Sequence, residues 1–437
     1  MLRFKLGIFA VAVFCVSLLA PAGSGLAQEG EQERKTRQVE ALSERVHRRL
    51  AKAQEAMDAE DYATAEALLQ ETRELRNISP YERALTERVQ GFVHLYQEDY
   101  PASIEIFLQI IQSRGPDEIG GIYNELIGLL GQLYMVVEDF REAVRFGEMS
   151  LELNEDPSPT DYYRLVQANL RLEEWREVLK YGSLTIDKAR ATGVPVEENW
   201  HRAMLYAHWE IEEYAEALAI TKILLAEWPK KDYWTQMSAL YSFLEDDTRL
   251  VSAYWCAYDQ GLLSTSSELV GMANYFMMVE VPYKAAVILH NGLEDGSIES
   301  NVRNLKLAAQ AWQFAREDRK ALDPLRKAAE SEEDMDDRGD LYMHLAEIHN
   351  VLGDFGDCAS AARQALRVGD LKSEGRTYML LGQCLLEQDE FDGAGDAFSQ
   401  AIRDSDTRRD ATRWQNYLKN EVERRRKLEA DLARYAD

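Results

Sequence analysis

The chain has 437 residues, with 50 Lys and Arg against 77 Asp and Glu, a formal net charge of −27. Nucleic acids and anionic membrane surfaces bind through positive fields, so this balance argues against both and suits neutral or basic partners. A hydrophobic fraction of 46% with 10% aromatics excludes bulk disorder, and 10 Pro with 25 Gly are too few for a linker-rich mosaic.

The first segment reads as a targeting signal. Arg3 and Lys5 precede an apolar run of 15 residues, Leu6 to Ala20, short for a membrane span and right for a signal-peptide core. Pro21-Ala22-Gly23-Ser24 breaks that run, and Gly25-Leu26-Ala27 supplies the small-x-small pattern of a cleavage site. Cleavage is predicted after Ala27, with export to the periplasm. Cys15 lies inside the apolar core rather than behind it, which argues against a lipid anchor. No later stretch approaches the ~18 apolar residues of a spanning helix, so no transmembrane segment is expected in the mature chain. Residues 28–40 are charged and lack an apolar period, and they are read as a disordered lead.

From residue 41 to 404 the chain repeats. An aromatic or acidic residue opens a second helix, and a small residue follows three positions on: Tyr62…Ala65, Tyr100…Ser103, Phe140…Ala143, Trp175…Val178 and Tyr214…Ala217. The series continues through Asp247…Leu250, Tyr283…Ala286, Asp318…Ala321, Phe355…Cys358 and Phe391…Ala394. Successive anchors lie 33 to 40 residues apart. Leu130-Gly131 with Tyr134, Leu381-Gly382, and Gly91 mark the preceding first helices. Two helices that cross closely need Gly or Ala facing a small residue, with large aromatics filling the space to the next helix. Pro157, Pro159 and Pro229 stop second helices where a turn is needed.

On these residues the chain resembles the tetratricopeptide repeat family, over about residues 43–404. The resemblance implies an all-α fold, a right-handed superhelical solenoid of about ten helix pairs whose first helices line a concave groove. The copies at Asp247, Tyr283 and Asp318 are the most degenerate, so a break near 232–300 is one expectation. Residues 405–437 are expected to form a capping helix, with Trp414, Tyr417 and Leu418 burying the open face of the last pair. From Arg408 to Lys427 this helix is locally basic, which reads as a wet face of the cap or as a partner surface.

Catalytic chemistry is not visible. The seven His are scattered, and neither His344/His349 nor His201/His208 has the spacing that puts two imidazoles on one metal. There is no GxxxxGK[ST], GxSxG or GxGxxG motif, and the "DMDDRGD" stretch at 334–340 has Arg338 where a calcium ligand is needed. No cofactor, no metal and no enzymatic activity are expected. Beyond the predicted signal, Cys256, Cys358 and Cys384 remain. Cys358 and Cys384 fall on neighbouring predicted helices, so they are either a disulfide pair or small buried residues.

What remains is a binding surface. The first-helix face that would line the groove carries Tyr163, Gln167, Asn199, Arg202, Tyr206, Trp209, Thr235, Tyr275, Arg303, Lys306 and Gln310. Rings beside amide and Arg side chains suit a protein partner or an extended peptide. The Lys/Asn arrangement with which some members of the family clamp a C-terminal carboxylate is absent.

Three stretches, "KDYWTQMSALYSFLEDD" (231–247), "YDQGLLS" (258–264) and "VPYKAAVILHNGLEDGSIE" (281–299), carry a narrower resemblance. They are similar to periplasmic tetratricopeptide proteins encoded beside TonB–ExbB–ExbD-type energy-transduction systems of gammaproteobacteria. That resemblance implies an accessory scaffold for outer-membrane transport, with a TonB- or ExbD-type component as partner. The alternative is a periplasmic assembly factor or chaperone for envelope polymers or outer-membrane proteins.

Overall fold

The structure is a computed structural model that describes residues 42–369 and 371–436. The predicted signal segment and the 28–40 lead lie outside the described residues. Among those residues there are 22 helices and no strand. The fold is an all-α repeat solenoid, in two compact units divided between Ile119 and Gly120.

The first unit holds α1 (Glu44–Asp58), α2 (Tyr62–Arg73), α3 (Pro80–Tyr96), α4 (Tyr100–Ser113) and the short α5 (Pro116–Ile119), which the repeat pattern did not foresee. Its core gathers Val46, Leu50, Ala53 and Met57 of α1, Ala65 and Leu69 of α2, and Val93 of α3.

The second unit begins with α6 (Gly121–Val136), α7 (Phe140–Leu153), α8 (Pro159–Leu172), α9 (Trp175–Thr192), α10 (Glu198–Glu210) and α11 (Tyr214–Glu227). It continues with α12 (Lys231–Phe243), α13 (Asp247–Asp259), α14 (Ser266–Met278), α15 (Pro282–Asp295), α16 (Val302–Phe314) and α17 (Asp318–Ser331). It closes with α18 (Met335–Leu352), α19 (Phe355–Val368), α20 (Glu374–Glu387), α21 (Phe391–Ala401) and α22 (Arg408–Ala436). One core cluster runs from Leu205 to Ile348, straight through the 232–300 stretch where a break was expected. The degenerate repeats still bury Leu250, Ala286 and Ala321 at their small sites, and this burial keeps the pairs together.

The anchor residues open their helices as the repeat predicts, with one shift: α15 starts at Pro282, one residue before Tyr283. Proline at the first helical position needs no hydrogen-bonded N–H, which explains the shift. Each small-site residue, including the departures Val178 and Leu250, is buried. Gly91 of α3 meets Ser103 of α4 directly, the hydroxyl donating to the Gly91 carbonyl at 3.0 Å. At the degenerate α12/α13 pair the bond runs the other way, Ser238 Oγ donating to the Leu250 carbonyl at 3.1 Å.

The ten turns that join first to second helix share one backbone solution. Glu60, Glu98, Glu138, Glu173, Glu212, Glu245, Glu280, Arg316, Gly353 and Asp389 all have positive φ, between 56° and 76°. The next residue donates its N–H back across the turn, as Asp99 does to His94 O at 2.9 Å, while Glu98 N–H reaches Leu95 O at 3.0 Å. This is the Schellman closure of a helix C-terminus. In four pairs the donating residue also caps the second helix: Asp61, Asp99, Asp139 and Asp246 each accept from the N–H three positions on, whereas Asp354 makes no such bond. First helices are started by capping boxes at Ser79/Glu82, Ser158/Asp161 and Thr265/Glu268.

The capping helix departs from expectation in one detail. Leu418 is buried and Trp414 stacks on Phe398 with ring centroids 6.1 Å apart, but Tyr417 is 54% exposed. Residues three or four apart share a helix face, and Trp414 and Leu418 define the packed one, so Tyr417 is turned to its edge.

Candidate interaction surface

All the predicted groove residues fall on first helices: α8, α10, α12, α14 and α16. The structure brings some of them into packing and leaves others open. Tyr163 is half-buried against Trp200, with centroids 6.0 Å apart, and burial pushes its phenol above the usual range. Tyr275 sits edge-on to Tyr254 at 5.1 Å. Trp209 lies between Tyr214 and Phe243, at 6.1 and 5.4 Å. Thr235 spends its hydroxyl on the Asp232 carbonyl of its own helix, at 2.9 Å. Gln167 is half-buried on α8.

Asn199, Arg202, Tyr206, Arg303, Lys306 and Gln310 are exposed. Tyr206 meets Trp175 edge-on at 5.4 Å, yet remains 51% exposed. Arg202 reaches Asn199 Oδ1 at 3.4 Å. Lys306 Nζ stands 3.9 Å from an Asp337 carboxylate oxygen, a long surface contact of small energetic weight.

A further set escaped the sequence reading. Tyr96, Val136, Phe243, Met278, Phe314 and Val351 lie at or next to the C-terminal end of their first helices and are exposed. Each sits two residues before the left-handed turn residue. The positional signal was legible in "YSFLEDD" and "NYFMMVE". An apolar residue at a helix end reads as core unless the burial of its neighbours is known.

Three histidines are engaged within the fold. His201 is buried, and desolvation lowers its basicity. The His208 ring lies 2.8 Å from Glu213, and the His344 ring 2.9 Å from Gln313. Among the described residues no group of three or more His, Cys, Asp or Glu is placed to hold a metal ion. No helix among them is long and apolar enough to cross a membrane. Cys358 of α19 and Cys384 of α20 are joined in a disulfide, Cα atoms 6.2 Å apart, and Cys256 is free.

The eight basic residues of α22 between Arg408 and Lys427 are only partly offset by Asp410, Glu421 and Glu423. Arg424 and Arg425 pair with Glu421 at 2.5 and 3.1 Å, and Lys427 pairs with Glu423 at 2.8 Å. Arg425 also reaches Asp389 of the last turn at 2.6 Å, which ties the cap to α21.

Residues 345–408, from the second half of α18 to the start of α22, match the family model described as tetratricopeptide repeat. That stretch is similar to a tetratricopeptide repeat. The pairs before it are built on the same small contact and the same turn, which supports the tetratricopeptide family for the array. No curated protein matches the chain. Among solved structures, a tetratricopeptide repeat protein from Parabacteroides merdae ATCC 43184 is similar with TM-score 0.35 and 11% identity, covering 62% of this chain and 99% of that one. YrrB, described as a TPR protein with an unusual peptide-binding site, has TM-score 0.34 and 14% identity, covering 45% of this chain and 97% of that one. The APC/C hetero-tetramer Cut9–Hcn1 has TM-score 0.28 and 11% identity, covering 85% and 90%.

Proposed function

We propose that this chain is a non-enzymatic protein–protein interaction scaffold of the periplasm, accessory to a TonB–ExbB–ExbD-type transport system. The observation that carries the scaffold is the first-helix surface: Tyr206, Phe243 and Phe314 stand half or more exposed beside Asn199, Arg202 and Gln310. Large rings next to amide and guanidinium groups are the composition of protein interfaces. Export is supported by the Arg3/Lys5 head, the Leu6–Ala20 core and the Ala27 site. The Cys358–Cys384 disulfide fits an oxidising compartment. The TonB-type partner rests on the likeness of the 231–247, 258–264 and 281–299 stretches alone.

The test is photo-crosslinking from position 206 in living cells. Capture of a TonB- or ExbD-type protein supports the reading. Capture of outer-membrane precursors or polymer-assembly enzymes assigns the chain to envelope assembly instead. Retention of the protein in the cytoplasm overturns the location.

A further inference from the structure

Four exposed apolar side chains of the second unit recur at one structural position in four consecutive repeats. Phe243, Met278, Phe314 and Val351 are 53%, 48%, 60% and 74% exposed. Each lies two residues before the left-handed residue of its turn. Phe243 stacks on Tyr214 of the preceding repeat at 4.6 Å, so one face of its ring is rigidly held and the other is free. Tyr283, 51% exposed, adds a ring between Met278 and Phe314 in chain order. Exposed apolar side chains that recur at one position of successive repeats mark a contact surface.

The turn residues beside this ladder carry charge that the fold leaves unused. Glu212, Glu245 and Glu280 are exposed and make no ion pair or side-chain hydrogen bond among the described residues. Their chain neighbours are engaged: Glu213 pairs with Arg176 at 2.7 Å, and Asp246 with Arg249 at 3.1 Å. At the far end of the ladder the left-handed turn positions are Arg316 and Gly353, so the free turn glutamates of this stretch belong to its α10–α14 end.

We infer that this ladder docks an extended segment of a partner protein that carries Lys or Arg side chains among apolar ones. The basic groups meet Glu212, Glu245 and Glu280, and the apolar ones cover Phe243, Met278, Phe314 and Val351. A segment with one basic and one apolar side chain in every three residues offers both kinds of contact at short, regular intervals. The site rests on the scaffold reading but not on a TonB-type partner, and it uses none of the groove residues predicted from the sequence.

The experiment uses the full chain and fluorescein-labelled peptides of repeated Lys-Leu-Ala or Glu-Leu-Ala triplets, read by fluorescence anisotropy. The Lys peptide is expected to bind at least about tenfold more tightly than the Glu peptide, a difference of ~1.4 kcal/mol. The double variant Glu245→Lys/Glu280→Lys reverses that order. The double variant Phe243→Ser/Phe314→Ser weakens the Lys peptide and keeps the helical circular dichroism, with a melting point lowered modestly by the lost Phe243–Tyr214 stacking.

Equal affinity for the two peptides, binding of neither, or an order unmoved by the charge variant overturns the ladder. If binding falls with Arg303→Ala/Lys306→Ala and not with the ladder variants, the ladder fails while the scaffold reading stands. A synthetic peptide of residues 408–436 that binds more tightly than the Lys triplets would assign the surface to a second copy of this chain, overturning the partner named here.

Discussion

Phe107 of α4 lies so close to Gly91 of α3 that a Cβ on the glycine would stand 2.1 Å from the ring edge. The same relation recurs in the last pair, where a Cβ on Gly382 would stand 2.6 Å from Phe398. In both pairs the phenylalanine follows the glycine by 16 residues. Gly91→Ala should therefore destabilise by about 1–3 kcal/mol through overpacking, outweighing the ~1 kcal/mol gain in helix propensity. Phe107→Leu added to it should recover part of the loss. Gly271, whose added Cβ would meet only Tyr254 Oη at 3.9 Å, is the control: Gly271→Ala should stabilise by ~0.5–1 kcal/mol. Urea unfolding of the variants checks all three signs.

The turns provide a pair of opposite predictions on adjacent residues. Glu98 is held at φ 60°, where a side chain costs about 1 kcal/mol or more, so Glu98→Gly should be neutral to stabilising. Asp99 accepts from the Ala102 N–H at 3.2 Å, so Asp99→Ala should cost ~1 kcal/mol. Two melting curves suffice, and a destabilised Glu98→Gly variant would show that the Glu98 side chain has a role of its own.

The disulfide closes a sequence separation of 26 residues between neighbouring repeats. In the chain-entropy account a loop of that length contributes about 3 kcal/mol. Reductant should lower the urea midpoint of the natural chain and leave that of Cys358→Ala/Cys384→Ala unchanged. Thiol titration of the folded chain before and after reduction monitors the bond directly.

Acid sensitivity should centre on Glu268. The Lys231 ammonium at 2.5 Å, followed by the Thr265 and Ser264 N–H groups, holds its carboxyl at about 2, far below the usual 4.5. Because the folded value lies below the unfolded one, this contribution is complete above about pH 4.5 and is lost as pH falls toward 2. Glu268→Ala should cost about 1–2 kcal/mol at neutral pH, combining a lost cap with a lost charged hydrogen bond. The deficit should shrink on acidification, which melting curves across that range report.

The helix pairs were legible because their signal is doubly periodic. An anchor such as Phe140 and a small residue such as Ala143 recur in phase, and each small site is a contact that only a small or tightly packed residue can fill. The turn geometry was half legible: "EDY" and "EDF" marked the place, but a glutamate at positive φ cannot be told from a helical one by its identity. The surface was the least legible. Tyr163, Tyr275 and Trp209 look like ligand-facing aromatics, yet each is held by a ring of a neighbouring helix. Phe243 and Phe314 look like core and are half open, because a residue at the last turn of a helix has a neighbour on one side only.

The final helix bears on how an array of this kind can change length. α22 has 29 residues, while the first helices ahead of it have 13 to 18. Ala411, Trp414 and Leu418 fit the outer face of α21, and beyond them Leu428 and Leu432 are 52% and 61% exposed. A duplicated pair inserted before Arg408 keeps its growth compatible with this terminator only if it ends in a helix shaped like α21, with an Ala394- and Phe398-like face. Recombination within the interior has no such constraint, since each junction there joins like to like. The three repeats that depart furthest from the anchor pattern, at Asp247, Tyr283 and Asp318, all lie in that interior.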